Sequence, residues 1–263
     1  MRVFDFNSAI VRLPGRSVVH GLSASPGPPP VFEQLLAEHG AYVQALRTAG
    51  VQVTVLEALE AFPDSVFVED PALVFSETAL LLRPGAPSRT RESEYLAPAL
   101  TERFSRVLRL REGHADGGDV LVTPGCVYIG LSARTDDAGA RSLQDLLASI
   151  GRRSRVVRTP TTTLHLKSDS TLIDEQTVLA TAELAASGMF DRLRVLVAPE
   201  AELHSVNALR INDVVLCGAE NPRTIELLAG NGLTVIPLPA SEIGRIDARL
   251  SCMSLRWFDT ALG

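Results

Sequence analysis

Five times along its 263 residues this chain repeats one phrase: an apolar strand, a loop, a helix and a second apolar strand. The first copy reads "SAIVRL", the Gly/Pro loop "SPGPPP", the helical "VFEQLLAEHGAYVQALRTAG" and the strand "VQVTVLE". Apolar residues of that helix recur at three- and four-residue steps, and Gly50 supplies its stop. The second copy is "ALVFSETALLLRP", helix "RESEYLAPALTERF", strand "RVLRL". The third is "DVLVTPGCVYIGLS", helix "DDAGARSLQDLLASI", strand "RVVRTP", with Asp136 or Asp137 placed to cap the helix. In the fourth, "STLIDEQTVLATAEL" leads into a short or irregular helix through "GMFD" and the strand "RLRVLVAP". The fifth runs "ALRINDVVLCG", helix "NPRTIELLAGNG", strand "LTVIPLP".

Units this small cannot each bury a face alone, so they pack around a common centre as blades of a closed ring. A doubly wound open sheet is the competing α/β architecture, because alternating strands and helices also specify that fold. Two features favour the ring. Four units contain hairpin-like strand pairs, and the chain ends on one more strand, "MSLRWF", which is free to complete the blade begun near the N-terminus.

Composition narrows the possible partners. With 46% apolar and 21% charged residues the chain matches an ordinary globular protein. A net charge of −6, from 31 acidic and 25 basic residues, argues against nucleic acid and leaves room for a cationic ligand. No apolar run is long enough to span a bilayer, and Asp5 and Asn7 interrupt what would be the core of a signal peptide. Three cysteines without CxxC spacing suit a reducing cytoplasm rather than disulfides or a structural zinc site, and Cys126 and Cys217 read as buried strand residues. The expectation is one cytoplasmic domain over residues 1–263, with no nucleic-acid or membrane partner.

Chemistry-bearing residues gather at the junctions between units: "FPDSVFVEDPALV", "GHADGGDVLV", "TLHLKSDSTLI", "ELHSVNALRI" and "ARLSCMSLRW". In a ring, equivalent junctions converge on one end or on the central channel. Asp64, Glu69, Asp70, Asp116, Asp119, His165, His204 and Cys252 can then meet despite their separation in sequence. Taken singly, each has a plainer reading: a small core cysteine, a hydrogen-bonded core histidine, an Asp-Gly turn, a surface arginine. Together, carboxylates, a histidine and a cysteine suit attack on a planar cation. Arg89 in "RPGAPSR" and Arg134 in "GLSART" suit a carboxylate held by forked hydrogen bonds. A guanidinium at one end and an α-carboxylate at the other describe an arginine derivative.

The motifs "FPDSVFVED", "RPGAPSR", "DGGDVL", "GLSART", "LHLKS" and "LSC", in that order, resemble those of the dimethylargininases, or dimethylarginine dimethylaminohydrolases. These belong to the guanidine-modifying superfamily with arginine deiminases and amidinotransferases, and the resemblance runs over nearly the whole chain. It implies a five-bladed α/β propeller, the pentein fold. It also implies hydrolysis of Nω-methylated arginine to citrulline, with a cysteine-bound S-alkylthiouronium intermediate. By the same resemblance Cys252 is the nucleophile, His165 the general acid and base, and Asp116 the third catalytic residue. Asp64, Glu69 and Asp70 correspond to substrate-binding positions, and Arg89 and Arg134 to the arginines that hold the amino-acid end. Leu22 in "HGL" corresponds to a residue of a lid, and Ile246 and Asp247 to the segment near the α-amino group. Deiminases and many bacterial relatives carry Glu where this chain has Asp116, whereas vertebrate-type dimethylargininases carry Asp. The family implies no cofactor, no metal, a small-molecule substrate and a monomer or homodimer.

Other readings remain open at this level. They are a deiminase acting on unmethylated arginine, an enzyme for a decarboxylated guanidine, a non-catalytic pentein that binds a macromolecule, and a metal-dependent hydrolase using His114, Asp116 and His204.

Overall fold

The computed structural model describes residues 1–24 and 27–262, so Ser25 and Pro26 of the expected Gly/Pro loop, like Gly263, lie outside the described residues. The first repeat forms β1 (Ser8–Arg12), α1 (Phe32–Thr48) and β2 (Gln52–Leu56). The second forms β3 (Ala72–Phe75), β4 (Thr78–Leu81), α2 (Glu92–Arg103) and β5 (Arg106–Arg109). The third forms β6 (Val120–Val122), β7 (Val127–Leu131), α3 (Asp137–Ser149) and β8 (Ser154–Arg158). The fourth forms β9 (Ser170–Leu172), β10 (Thr177–Ala180), α4 (Ala182–Ala186) and β11 (Arg194–Val197). The fifth forms β12 (Leu209–Ile211), β13 (Val214–Gly218), α5 (Pro222–Gly230) and β14 (Thr234–Leu238), and β15 (Leu255–Trp257) follows.

Local chemistry sets the ends of these elements. Asp136 is the cap of α3, its side chain accepting from the Gly139 N–H. The backbone after α1 turns at Gly50 with φ +88, a conformation that costs glycine little. The fourth helix differs from the expectation. Thr181 caps its start through the Leu184 N–H, and it ends at Ala186, where Gly188 with a left-handed φ of +70 turns the chain out of the helix. Met189 and Phe190 are instead buried packing residues. Cys217 is a buried strand residue, whereas Cys126 is half-buried in the turn before β7, one residue short of the strand.

Each unit is a three-stranded sheet with one antiparallel and one parallel pair: β3-β4-β5, β6-β7-β8, β9-β10-β11 and β12-β13-β14. The middle strands β4 and β10 are buried along their whole length, as strands covered on both faces must be. In the first unit the missing antiparallel partner comes from the far end of the chain, with Trp257 opposite Ser8 and Leu255 opposite Ile10. The sheet β15-β1-β2 is therefore the unit in which the circle closes.

The apolar core confirms the ring rather than an open sheet. Its five clusters each lie between consecutive units. One joins the first and second units (Ile10, Trp257, Leu96, Leu100) and another the second and third (Leu80, Leu82, Ile129, Leu143). The next two join the third and fourth (Leu121, Tyr128, Val178, Phe190) and the fourth and fifth (Leu179, Val215, Leu228). The last joins the fifth to the first (Leu209, Leu216, Leu35, Leu46), and an open sheet has no such fifth seam. First strands of neighbouring units touch, β15 with β3 and β9 with both β6 and β12, so the loops ahead of them face a common axis.

Trp257 is 3% exposed and its ring lies 4.9 Å from that of Phe104, across the seam between the first and second units. Trp257→Ala removes this contact from both units and is expected to cost about 3–5 kcal/mol of stability, read as a fall in the urea midpoint.

Candidate active site

The loops that precede β3, β6, β9 and β15 meet around a pocket of about 420 Å³. Asp64 and Asp70 come from the segment before β3, Asp116 from the one before β6, and Leu164 and His165 from the one before β9. Ile246, Asp247, Ala248 and Cys252 come from the segment before β15, while Leu22, Phe67, Arg89 and Arg134 complete the wall. Of the converging candidates, Glu69, Asp119 and His204 do not line it, and Glu69 is the one among them that the resemblance placed at the substrate. Asp70 and Cys252 face this pocket, but their neighbours Glu69 and Ser251 face a larger cavity of about 1100 Å³. That cavity is lined by no cysteine or histidine, so the reactive groups belong to the smaller pocket. There Glu69 pairs with Lys167 at 2.7 Å and with Arg256 at 3.0 Å, and it accepts from Ser251 Oγ.

The "DGGD" turn sets the central geometry. A Cβ on Gly117 would lie 2.0 Å from the Glu69 carbonyl oxygen, and one on Gly118 would lie 2.8 Å from the His165 ring. Only glycine allows this approach. The Gly118 N–H donates to Asp70 Oδ1, and His165 Nε2 lies 3.1 Å from Asp116 Oδ2. Asp116 is held in turn by the Gly85 N–H on its other oxygen. Asp119, the second carboxylate of the turn, accepts from Thr135 Oγ1, Ser132 Oγ and the Leu166 N–H, and so anchors the histidine loop.

Electrostatics follows from burying so many carboxylates. Burial pulls the His165 pKa down, but Asp119, Asp70 and the hydrogen-bonded Asp116 outweigh it and push the imidazole up to about 9. His165 is an imidazolium at neutral pH. Burial, then Glu69 and Asp70, push the Cys252 thiol up to about 11, so it is neutral without a ligand. Burial opposes ionisation of Asp70, yet Arg89 and then His165 hold its carboxyl below the ordinary value. Asp64 is shifted the other way, chiefly by burial.

Arg89 is 3% exposed and heavily committed. It grips Glu92 through Nε at 2.7 Å and Nη2 at 2.6 Å, donates to the Phe67 carbonyl, and pairs with Asp70. Those bonds occupy four of its five N–H groups among the described residues, leaving one on Nη1 for the pocket. The segment above the pocket is tied down by carboxylates, Asp64 accepting from the Leu22 N–H at 2.8 Å and Asp247 from the Ala24 N–H. Asp247 has a left-handed φ of +52, a strained backbone of the kind that clusters at functional sites.

The remaining histidines do not join this centre. His114 bonds to Asp136 at the start of α3, 3.1 Å away, and His204 does not line the pocket. The set His114, Asp116 and His204 is therefore no metal site. Among the described residues, the one group compact enough for an ion is Asp70, Asp116 and His165, with donor atoms within 4.8 Å of one another. An ion there would have to displace the proton that the surrounding carboxylates hold on His165. Sequence reasoning passed over Asn207, whose amide reaches Cys252; its signal was its place in the junction "ELHSVNALRI".

A five-unit ring with a cysteine, a histidine–aspartate pair and further carboxylates on one pocket defines a pentein of the guanidine-modifying kind. Residues 30–161 match the family model for N,N dimethylarginine dimethylhydrolase, eukaryotic. The chain is 38% identical over 255 residues to the N(G),N(G)-dimethylarginine dimethylaminohydrolase of Pseudomonas aeruginosa, covering 96% of this chain and all of that protein. A cysteine-to-serine mutant of the enzyme from that organism, solved with citrulline, superposes with a TM-score of 0.93 at 38% identity over 96% of this chain and 100% of that one. An adduct of a histidine-to-glycine dimethylarginine dimethylaminohydrolase with S-methyl-L-thiocitrulline superposes at 0.92, with 38% identity over 95% of this chain and 99% of that one. The chain belongs to the dimethylarginine dimethylaminohydrolase family.

Two outcomes follow from the charges. Arg89→Ala leaves Asp70 and Glu92 buried without their cation and is expected to lower stability by about 3–5 kcal/mol in urea unfolding, whereas Arg134→Ala leaves the midpoint nearly unchanged. Because the folded pKa of His165, about 9, exceeds its ordinary 6.5, the stability it contributes is complete below pH 6.5 and disappears as pH rises through 9. Urea midpoints between pH 6.5 and 9 should fall more steeply in the wild type than in His165→Gln.

Proposed function

We propose that this chain hydrolyses Nω-methylated arginine, asymmetric dimethylarginine or the monomethyl form, to L-citrulline and dimethylamine or methylamine. The observation that carries this reading is the convergence of Cys252, the His165–Asp116 pair and Asp70 on one small pocket. Asp70 and Asp116 face the guanidinium, and Asp64 adds negative charge while holding the Leu22 segment over the pocket. The substrate's positive charge offsets the burial and the carboxylates that keep the thiol neutral, so Cys252 gives its proton to solvent and the thiolate forms in the complex. Sγ adds to the guanidinium carbon. The carbon–nitrogen bond to the methylated amine breaks as His165 donates its proton to that nitrogen, leaving the S-alkylthiouronium. The amine departs, and neutral His165 takes a proton from water, whose oxygen adds to the same carbon. Cleavage of the carbon–sulfur bond, with the proton of the added hydroxyl passing to the departing sulfur, then releases citrulline and returns the Cys252 thiol.

Arg134 and the one uncommitted N–H of Arg89 hold the α-carboxylate, and Ile246 and Asp247 lie toward the α-amino group. Glu69 serves the site from behind, through its ion pairs and its main chain. No metal or organic cofactor enters these steps. We read residues 1–263 as a single catalytic domain, a monomer or homodimer working in the cytoplasm on a small molecule, with no nucleic-acid or membrane partner. The net charge of −6 favours a cationic small molecule over nucleic acid. No helix among the described residues is long and apolar enough to cross a membrane.

The deciding assay is citrulline release from asymmetric dimethylarginine with arginine alongside. Turnover of the methylated substrate alone, abolished in Cys252→Ser and unaffected by chelator, is the expected result. Equal or better turnover of arginine would make the protein a deiminase.

A further inference from the structure

We infer that Asn207 aims the Cys252 nucleophile and stabilises its thiolate, a role that rests on Cys252 being the attacking group. Asn207 is 5% exposed and sits in the junction before β12, where it reaches two other junction loops at once. Its Nδ2 donates to the Lys167 carbonyl oxygen at 3.0 Å, in the loop that carries His165. Its Oδ1 accepts the Ser251 N–H at 3.1 Å, in the turn that carries Cys252. These partners leave no freedom in the orientation of the amide, since a carbonyl accepts only and an N–H donates only. The second hydrogen on Nδ2 then serves Cys252 Sγ, 3.7 Å away.

A neutral thiol is a weak acceptor and a thiolate a strong one, so this bond strengthens as the sulfur ionises. Burial, Glu69 and Asp70 oppose ionisation, while the Arg249 main chain and Lys167 favour it among the charged and main-chain groups around the sulfur. Asp70 beside the sulfur and Glu69 behind it act on it from the segment before β3, and Lys167, on the histidine loop, is already paired with Glu69. Arg249 lies on the nucleophile's own segment and His165 is paired with Asp116. Asn207 is an uncharged donor to the sulfur within this ring of charges. It keeps the substrate guanidinium as the charge that completes ionisation, and it holds the histidine and cysteine loops in register. Its donors and its carbonyl are committed, so it acts on the nucleophile and not on the substrate.

The test compares Asn207→Asp, which keeps the shape but loses the donors, with Asn207→Ala, which stands in should the aspartate fail to fold. The first readout is the pH dependence of iodoacetamide alkylation of the free enzyme, scored at the Cys252 peptide by mass spectrometry so that half-buried Cys126 does not contribute. The second is kcat and KM on asymmetric dimethylarginine. The inference expects the alkylation profile to move to higher pH by about one unit or more. It expects kcat to fall by roughly 10- to 100-fold, the worth of a hydrogen bond to a charged group, with KM little changed. Wild-type alkylation profiles in both variants would overturn it, even if turnover fell. An inactive Cys252→Ser beside that result would leave the nucleophile standing and remove only the role of Asn207. An active Cys252→Ser would remove the parent reading as well.

Discussion

Everything in this structure depends on the pairing of β15 with β1. A three-stranded sheet with one helix exposes more apolar surface than it buries, and five of them in a row would leave two unpaired ends. Bringing Leu255–Trp257 back to Ser8–Ile10 turns the two ends into one more seam, so that every sheet has a neighbour on both sides. The loops ahead of the first strands are thereby held to a common axis. Distant positions become one site only because the circle is shut.

The site is best understood as an excess of carboxylates held in a confined volume. Asp64, Asp70, Asp116 and Asp119 lie within the same buried region and meet two embedded cations, Arg89 and the imidazolium of His165. Arg89 resolves part of the excess by taking Glu92 and Asp70 together, which makes it a structural cation with little left for a ligand. Burial and the remaining negative charge keep Cys252 protonated, and that charge leaves the pocket suited to a cation. The resting state is thus unreactive, and the charge of the substrate supplies what the nucleophile lacks. Glu69 shows how finely the loops divide labour, because one residue's displacement along the chain turns it from the pocket to the ion pairs behind it.

Much of the fold was legible because apolar periodicity and turn chemistry are local. The hairpin pairs, the Asp136 cap, the Gly50 turn and the closing role of "MSLRWF" are all written in short windows. The fourth helix is shorter than expected because Gly188 turns the backbone left-handed, and the Met189 and Phe190 of "GMFD" pack as core instead of as helix. In the site, Cys252, His165 and Asp116 stand out in sequence by residue type and by repeat position. Asn207 did not, since an amide carries no charge and its importance lies in which three groups surround it.

The sequence by itself determined the repeat, the kinds of reactive side chain and the family to which they belong, because side-chain identity and spacing are one-dimensional properties. Tertiary structure alone decided which carboxylates face the pocket, how many donors Arg89 retains, and whether the cysteine and histidine rest charged or neutral. Those are properties of burial and of fields summed over groups that are far apart along the chain, and they exist only once the ring has closed.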